Sequence, residues 1–295
     1  MDLPYPRVFV IINPASGQNE PILNVLNDVF HTAGVEWDIG ITHKSGDATR
    51  LAKEAAARGV DLVAGYGGDG TQMEVANGLF GTGVPMAILP GGTGNAMAHE
   101  LHVPLNLKQA AQVIVSSRKR KDVDLVRTGE RLFMLRAYTG VSASEAASRE
   151  EKDRLGQMAY IQASLKILTH LKQTPYRAIV DGEVIESKAL IVFILNAGSI
   201  GGVMGISLPQ MGEVSSSDGF LDLYIVTKGI RPLRAVSHHL FNVGESQAGV
   251  HHWRGKEITL QADTPQDIWI DGEIEGQTPF TATAIPRALE VVVPG

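Results

Sequence analysis

Apolar residues form short unbroken runs over the first third of the chain. Residues 7–14, RVFVIINP, stop at Asn-Pro and predict a buried strand. Ile22, Leu23, Leu26, Val29 and Phe30 follow at helical spacing. WDIGIT predicts a second strand and DATRLAKEAAARG a second helix, ended by Gly59. VDLVAG and PMAILP predict two more strands, with a glycine-rich turn and another helical pattern between them. Strands alternating with helices at this pitch predict a parallel sheet with right-handed crossovers. Such sheets bind ligands at the carboxyl ends of their strands. INPASG, ITHKSG, GYGGDGT and LPGGTGN all fall there.

From about Lys121 the pattern changes. KDVDLVRT, RLFMLRAY, PYRAIVDG, KALIVFILNAG, GFLDLYIVT, KEITLQA, QDIWIDGE and ALEVVVP read as strands separated by turn signals. They predict a mostly antiparallel sheet or sandwich. Helical spacing interrupts them near residues 157–171 and 232–243. The expected fold class is α/β. A parallel-sheet nucleotide-binding domain spans 1–122, and a β-rich sandwich domain spans 123–295, its last strand packing near the boundary. A cleft between them holds the site.

The composition is that of an ordinary soluble globular protein, 44% hydrophobic and 20% charged over 295 residues. A net charge of -6 argues against a nucleic-acid partner, which needs a basic surface. The absence of cysteine excludes a thiol nucleophile, a disulfide framework and a Cys-based zinc site, and it fits a reducing compartment such as the cytoplasm. The N-terminal apolar run is too short to span a bilayer and lacks the features of a signal peptide.

Residues 65–79, GYGGDGTQMEVANGL, carry the candidate chemistry. Gly65, Gly67 and Gly70 satisfy G-x-G-x-x-G between a strand and a helix. A dinucleotide site would place an acid at the end of the next strand, where this chain has LPGGTGN. A Walker A lysine, the H-R-D and D-F-G elements of protein kinases and a G-x-S-x-G elbow are all missing. The glycines let backbone N–H groups approach phosphate oxygens, and the helix that follows favours anions at its start. Asp69 belongs in such a cradle if a magnesium ion stands between it and the phosphates, or if it helps place an attacking hydroxyl. The alternative is a structural turn with Asp69 as a helix cap. Thr71-x-x-Glu74 has the form of a capping box. IDGE, ending at Glu273, reads either as a hairpin turn or as a catalytic loop, and the DGEV at Asp181 as a hairpin. SRKRK (117–121) is a solvated connector or a contact with anionic lipid. The histidine pairs at 238–239 and 251–252 share no ligand spacing and read as helix-surface and strand residues.

GGDGTxxEVxNGL followed by LPGGTGNAxA resembles the catalytic domain of the diacylglycerol kinase family, above all its soluble bacterial lipid kinases, with sphingosine and ceramide kinases as relatives. INPASG, IT-x-x-x-GDA (41–48), DVDLV (122–126), SDGFLDL (217–223) and IDGE match the family's other motifs in order. The resemblance implies an ATP-dependent kinase that transfers the γ-phosphate to a lipid hydroxyl, diacylglycerol first. Asn13, Ser16, Thr42, Gly67, Gly68, Asp69, Gly70, Thr71, Gln72 and Thr93 would hold ATP. Asp69 would orient the phosphates, directly or through Mg²⁺. Ser215, Asp218 and Phe220 match a second, structural Mg²⁺ site. Glu273 would be the catalytic base, Asp271 its helper, and Asp124 a support of that network. The resemblance also implies transient contact with a membrane surface and leaves a homodimer open. Asn95-Ala96 departs from the Asn-Asp usual in diacylglycerol kinases and follows the sphingosine-kinase branch, which leaves the acceptor lipid open. The competing readings are a sphingosine-type or other lipid kinase, an NAD kinase, which shares GGDGT, and a non-catalytic nucleotide- and lipid-binding protein.

Overall fold

The computed structural model describes residues 3–16, 20–141, 172–197, 214–227 and 249–295. In it the apolar runs of the first third are strands β1 (Arg7–Ile12), β2 (Glu36–Ile41), β3 (Leu62–Gly67) and β4 (Met86–Pro90). They run parallel in the order β2-β1-β3-β4. Every residue of β3 and β4 is buried, because helices cover both faces of a parallel sheet. Helix α1 (Ile22–Ala33) buries Leu26, Val29 and Phe30, the positions its spacing picks out, and ends at Gly34 in the left-handed region. Helix α2 (Asp47–Ala57) is followed by Gly59 at φ 76°. Helix α3 (Asp69–Leu79) starts inside the glycine turn. Two further helices, α4 (Ala96–Glu100) and α5 (Leu107–Ser116), occupy a stretch with no predicted element. Asn106 starts α5 by accepting the Gln109 N–H.

The remaining strands are β5 (Arg120–Thr128), β6 (Arg131–Phe133), β7 (Arg136–Thr139), β8 (Thr174–Val180), β9 (Glu183–Ala189) and β10 (Ile191–Leu195). They continue with β11 (Leu221–Val226), β12 (Val250–Gly255), β13 (Glu257–Ala262), β14 (Asp267–Ile270), β15 (Glu273–Gln277) and β16 (Phe280–Val292). A second sheet has the order β12-β11-β10-β7-β14-β15. Its inward residues Val192, Ile194, Leu221, Leu223, Ile225, Ile268 and Ile270 share one core with Ala178, Ile258, Leu260 and Ala282 of the first sheet. That shared core makes the sandwich.

The first sheet does not stop at β4. It continues through β16 to β13, β8 and β9, with β5 paired along β16. The start of β16 pairs with β13, and Val291 near its end pairs in parallel with Met86 of β4. One strand thus serves both halves, and it bends between Ile285 and Leu289, where Arg287 has φ 50°. The predicted single strand RLFMLRAY is two, β6 and β7, because the backbone N–H groups at the break turn toward Asp271 instead of a neighbouring strand. The helical spacing at 157–171 and 232–243 lies outside the described residues. Among the described residues, no helix is long and apolar enough to cross a membrane.

Candidate active site

The two glycine loops touch backbone to backbone. A Cβ on Gly92 would stand 2.4 Å from the Gly68 Cα, so any side chain there would force the loops apart. A Cβ on Gly67 would meet Thr71 Oγ1 at 2.5 Å and Ser16 Oγ at 2.9 Å. Asn13 Nδ2 donates to Thr71 Oγ1 at 2.9 Å, and Ser16 Oγ donates to the Asn13 carbonyl at 3.3 Å. The β1 loop, the glycine turn and the start of α3 therefore meet, bringing together Asn13, Ser16, Gly67, Gly68 and Thr71. Thr42 is buried just past β2, where its N–H donates to the Ile12 carbonyl. Gly70 and Thr93 are exposed on the two loops. Gln72 is buried beneath the turn, its Nε2 donating to the Gly65 carbonyl at 2.9 Å, so its side chain props the loop from the core side. Backbone N–H groups at the head of an eleven-residue helix, with no side-chain cap bonded to them, can cradle phosphate.

The acids of α3 serve other helices. Asp69 is the first residue of α3, yet its Oδ1 accepts the Met97 N–H at the start of α4, 3.3 Å away. Burial holds its carboxyl above the usual range, against the pull of the Met97 and Ala96 N–H groups and the charges of Arg136 and His99. The capping box expected from Thr71 and Glu74 does not form. The Thr71 hydroxyl is engaged by Asn13, and Glu74 accepts the Gly46 and Ala48 N–H groups at 2.9 and 3.1 Å, capping α2 instead.

IDGE is a hairpin turn and also carries a partly buried acid. Asp271 (φ 47°) and Gly272 (φ 100°) form the two-residue loop between β14 and β15, with Ile270 paired to Glu273. The Asp271 carboxylate accepts the N–H groups of Met134, Leu135 and Arg136 at 3.2, 3.3 and 2.9 Å. Burial pushes its pKa up to about 6 against the Arg136 and Met134 N–H groups and the Arg136 charge, and the nearby charge of Asp69 adds to the rise. Asp69 of the nucleotide half and Asp271 of the sandwich are thus electrostatic neighbours, with Arg136 acting on both. Glu273 begins β15 at an exposed position.

Asp124 is fully buried and acts as a tie. Its Oδ2 accepts the Gly219 N–H at 2.6 Å and its Oδ1 the Arg287 N–H at 2.8 Å. It joins the 216–220 loop to the bend in β16. Ser215 and Phe220 flank that loop, partly buried. Asp218, the one carboxylate of the expected second magnesium set, accepts the Phe220 N–H at 3.1 Å and pairs with Arg254. The Arg254 guanidinium also lies 4.6 Å from the centre of the Phe220 ring. Arg254 thus takes the side of the carboxylate that a divalent cation would share with the Ser215 and Phe220 carbonyls. The Ser117 hydroxyl of the basic connector donates to the Val293 carbonyl, and Arg120 pairs with Glu290 and Tyr5. Described histidines 251 and 252 lie on β12, where His252 Nε2 meets Asp222 Oδ1 at 2.6 Å.

Three residues outside the sequence motifs' assigned roles shape the site. Arg136 bears on both acids. Asn196, fully buried, donates to the carbonyls of Asp124 and Met134 at 2.9 and 2.7 Å. Asn77 links α3 to Leu132. Of these only Asn77 lies in a matched motif. Arg136 and Asn196 sit inside apolar strand patterns that give no sign of a polar task.

Residues 7–128 match the diacylglycerol kinase catalytic domain, and residues 136–293 match the YegS C-terminal NAD kinase beta sandwich-like domain. An uncharacterised protein of Synechocystis is 30% identical over 97% of this chain and 70% of its own length. The diacylglycerol kinase of Bacillus subtilis is 27% identical over 98% of this chain and 96% of its own. A crystal structure from Bacillus anthracis, provisionally described as a diacylglycerol kinase, superposes with a TM-score of 0.81 at 26% identity, covering 98% of this chain and 97% of that one. With both family models matched in order on one α/β nucleotide half and one β-sandwich half, the chain belongs to the diacylglycerol kinase catalytic-domain family and is a lipid kinase.

Proposed function

We propose that the protein transfers the γ-phosphate of ATP to the hydroxyl of a lipid, diacylglycerol giving phosphatidic acid. The observation that carries this reading is the seating of Asp271 on the sandwich hairpin by three backbone N–H groups, near enough to feel the charge of Asp69 on the phosphate cradle. It sets two acids where a nucleotide and an acceptor from the other half would meet.

Asn13, Ser16, Thr71 and the turn 67–70 receive the phosphates, and Thr42 and Thr93 border them. Asp69 and Asp271, two partly buried hard oxygen donors whose charges act on each other, fit a Mg²⁺ ion that would neutralise phosphate charge during transfer. Asp271 is held by three backbone donors, which suits a positioned charge. Glu273, exposed on the same hairpin, is the group a lipid headgroup can reach, and it serves as proton acceptor. The lipid oxygen bonds to the γ-phosphorus as the bond to the β-bridging oxygen breaks. ADP departs, and the hydroxyl proton passes to Glu273. Asp124 supports this arrangement through the 216–220 loop and β16. The active protein works in the cytoplasm at a membrane surface.

Purified protein with labelled ATP, magnesium and mixed micelles of diacylglycerol, sphingosine or ceramide, beside NAD, tests the reading. Labelled phosphatidic acid is expected. Label in a sphingolipid or in NAD would replace diacylglycerol as acceptor, and nucleotide binding without any labelled product would leave a binding protein.

A further inference from the structure

The carboxylate of Asp271 is only as well placed as the segment that seats it. That segment is 132–136, the break between β6 and β7. From the sandwich side Asn196 holds it, with its N–H donating to the Leu135 carbonyl at 2.9 Å and its Nδ2 to Met134. From the nucleotide side the hold comes from Asn77 on α3. Asn77 Nδ2 donates to the Leu132 carbonyl at 3.1 Å, and Oδ1 accepts the Leu132 N–H at 3.3 Å. The side-chain amide thereby meets both polar groups of one peptide residue, as a neighbouring strand would. Its second N–H goes to the Met73 carbonyl of its own helix at 2.8 Å, which locks the rotamer.

Asn77 stands eight residues after Asp69 on the same helix, about 12 Å along its axis. Helix α3 is unbroken over that length. Its first turn carries one acid of the pair, and its far end grips the strand that seats the other. Met73, between them, packs on the sandwich core. We propose that Asn77 is a positioning residue that sets the separation of Asp69 and Asp271, and thus registers the phosphate cradle against the acceptor half. The side chain must donate and accept at once and be short. Aspartate cannot donate, glutamine is one carbon longer, and an aliphatic residue would leave Leu132 unpaired on that side.

The activity arm of the test rests on the kinase reading; the exchange arm does not. Full-length Asn77→Ala and, as a near-isosteric second variant, Asn77→Asp are compared with wild type by hydrogen exchange, nucleotide affinity and lipid-kinase kinetics. Amides of 131–136 are expected to exchange about tenfold faster in both variants, with β1 to β4 unchanged. Nucleotide affinity is expected to hold, while kcat falls about tenfold to 100-fold with little change in KM for lipid. A merely structural role would lower the melting temperature and leave kcat of the folded enzyme intact, and that result overturns the proposal. Unchanged exchange at 131–136 in the variant that folds also overturns it. If wild type phosphorylates no lipid, the kinase reading fails and the exchange result alone decides the clamp.

Discussion

Asp181 and Asp271 hold the same place in two Asp-Gly hairpins. Each has φ 47°, and each carboxylate collects N–H groups from the start of another strand, Lys256 and Glu257 for Asp181, Met134 to Arg136 for Asp271. Each also donates its own N–H to a carbonyl of that strand, Glu257 or Arg136. The difference lies in their surroundings. Asp181 is exposed, and Asp271 is partly buried within the field of Asp69. The molecule therefore contains its own control. Asp181→Asn keeps an acceptor oxygen for those N–H groups and is expected to cost no more than about 1 kcal/mol, with normal turnover. Asp271→Asn and Glu273→Gln are each expected to keep nucleotide binding and lose most of the turnover. Equal kinetics for the Asp181 and Asp271 variants would reduce IDGE to a turn.

Asp69→Asn separates charge from capping. The amide oxygen can still accept the Met97 N–H, so α4 keeps its start and the melting temperature should barely move. Turnover is expected to drop at least about 100-fold, the usual size of a lost positioned electrostatic group. Near-normal turnover would leave Asp69 with the capping role alone.

The raised pKa of Asp271 makes a prediction about stability. Its folded value of about 6 lies above the ordinary 3.8, so folding favours the protonated form. That stabilisation is full below pH 3.8 and lost as the pH rises through 6. The loss amounts to about 3 kcal/mol at most. Denaturant unfolding of wild type and Asp271→Asn from pH 4 to 7 should show the difference between them changing over that window. A constant difference would mean Asp271 stays ionised in the fold.

Asp218 and Arg254 form a partly exposed pair, which is expected to couple by roughly 0.5–1 kcal/mol in a double-mutant cycle. Magnesium should leave the Asp218 contribution unchanged. A magnesium-dependent rise in melting temperature that vanishes in Asp218→Ala would restore a cation to that loop and displace the arginine from the account.

The buried parallel strands were legible because burial on both faces leaves no room for polar residues, as β3 and β4 show. The phosphate cradle was legible because Gly67 must be bare for Thr71 and Ser16 to close on it, and Gly92 for its loop to reach Gly68. Long-range partners were not. Nothing near Glu74 marks α2 as the helix it caps, since Gly46 lies 28 residues back. Asp69 likewise faces Met97, 28 residues ahead. The break in RLFMLRAY comes from Asp271, about half the chain away, and no local pattern could register it. Helix α5 does carry a local sign, Asn106 before an amphipathic stretch.

Strand β16 follows every other strand in sequence, yet it lies between β4 and β13. During synthesis β4 thus waits with one edge unmet until β16 has left the ribosome. The nucleotide half cannot finish folding alone while the remainder is being made. A fragment ending after β5 should present that open edge and self-associate, whereas adding the β16 segment in trans should cap it. The strand that closes the sheet also carries the Arg287 bend tied to Asp124, so one late segment completes both the sheet edge and the Asp124 tie.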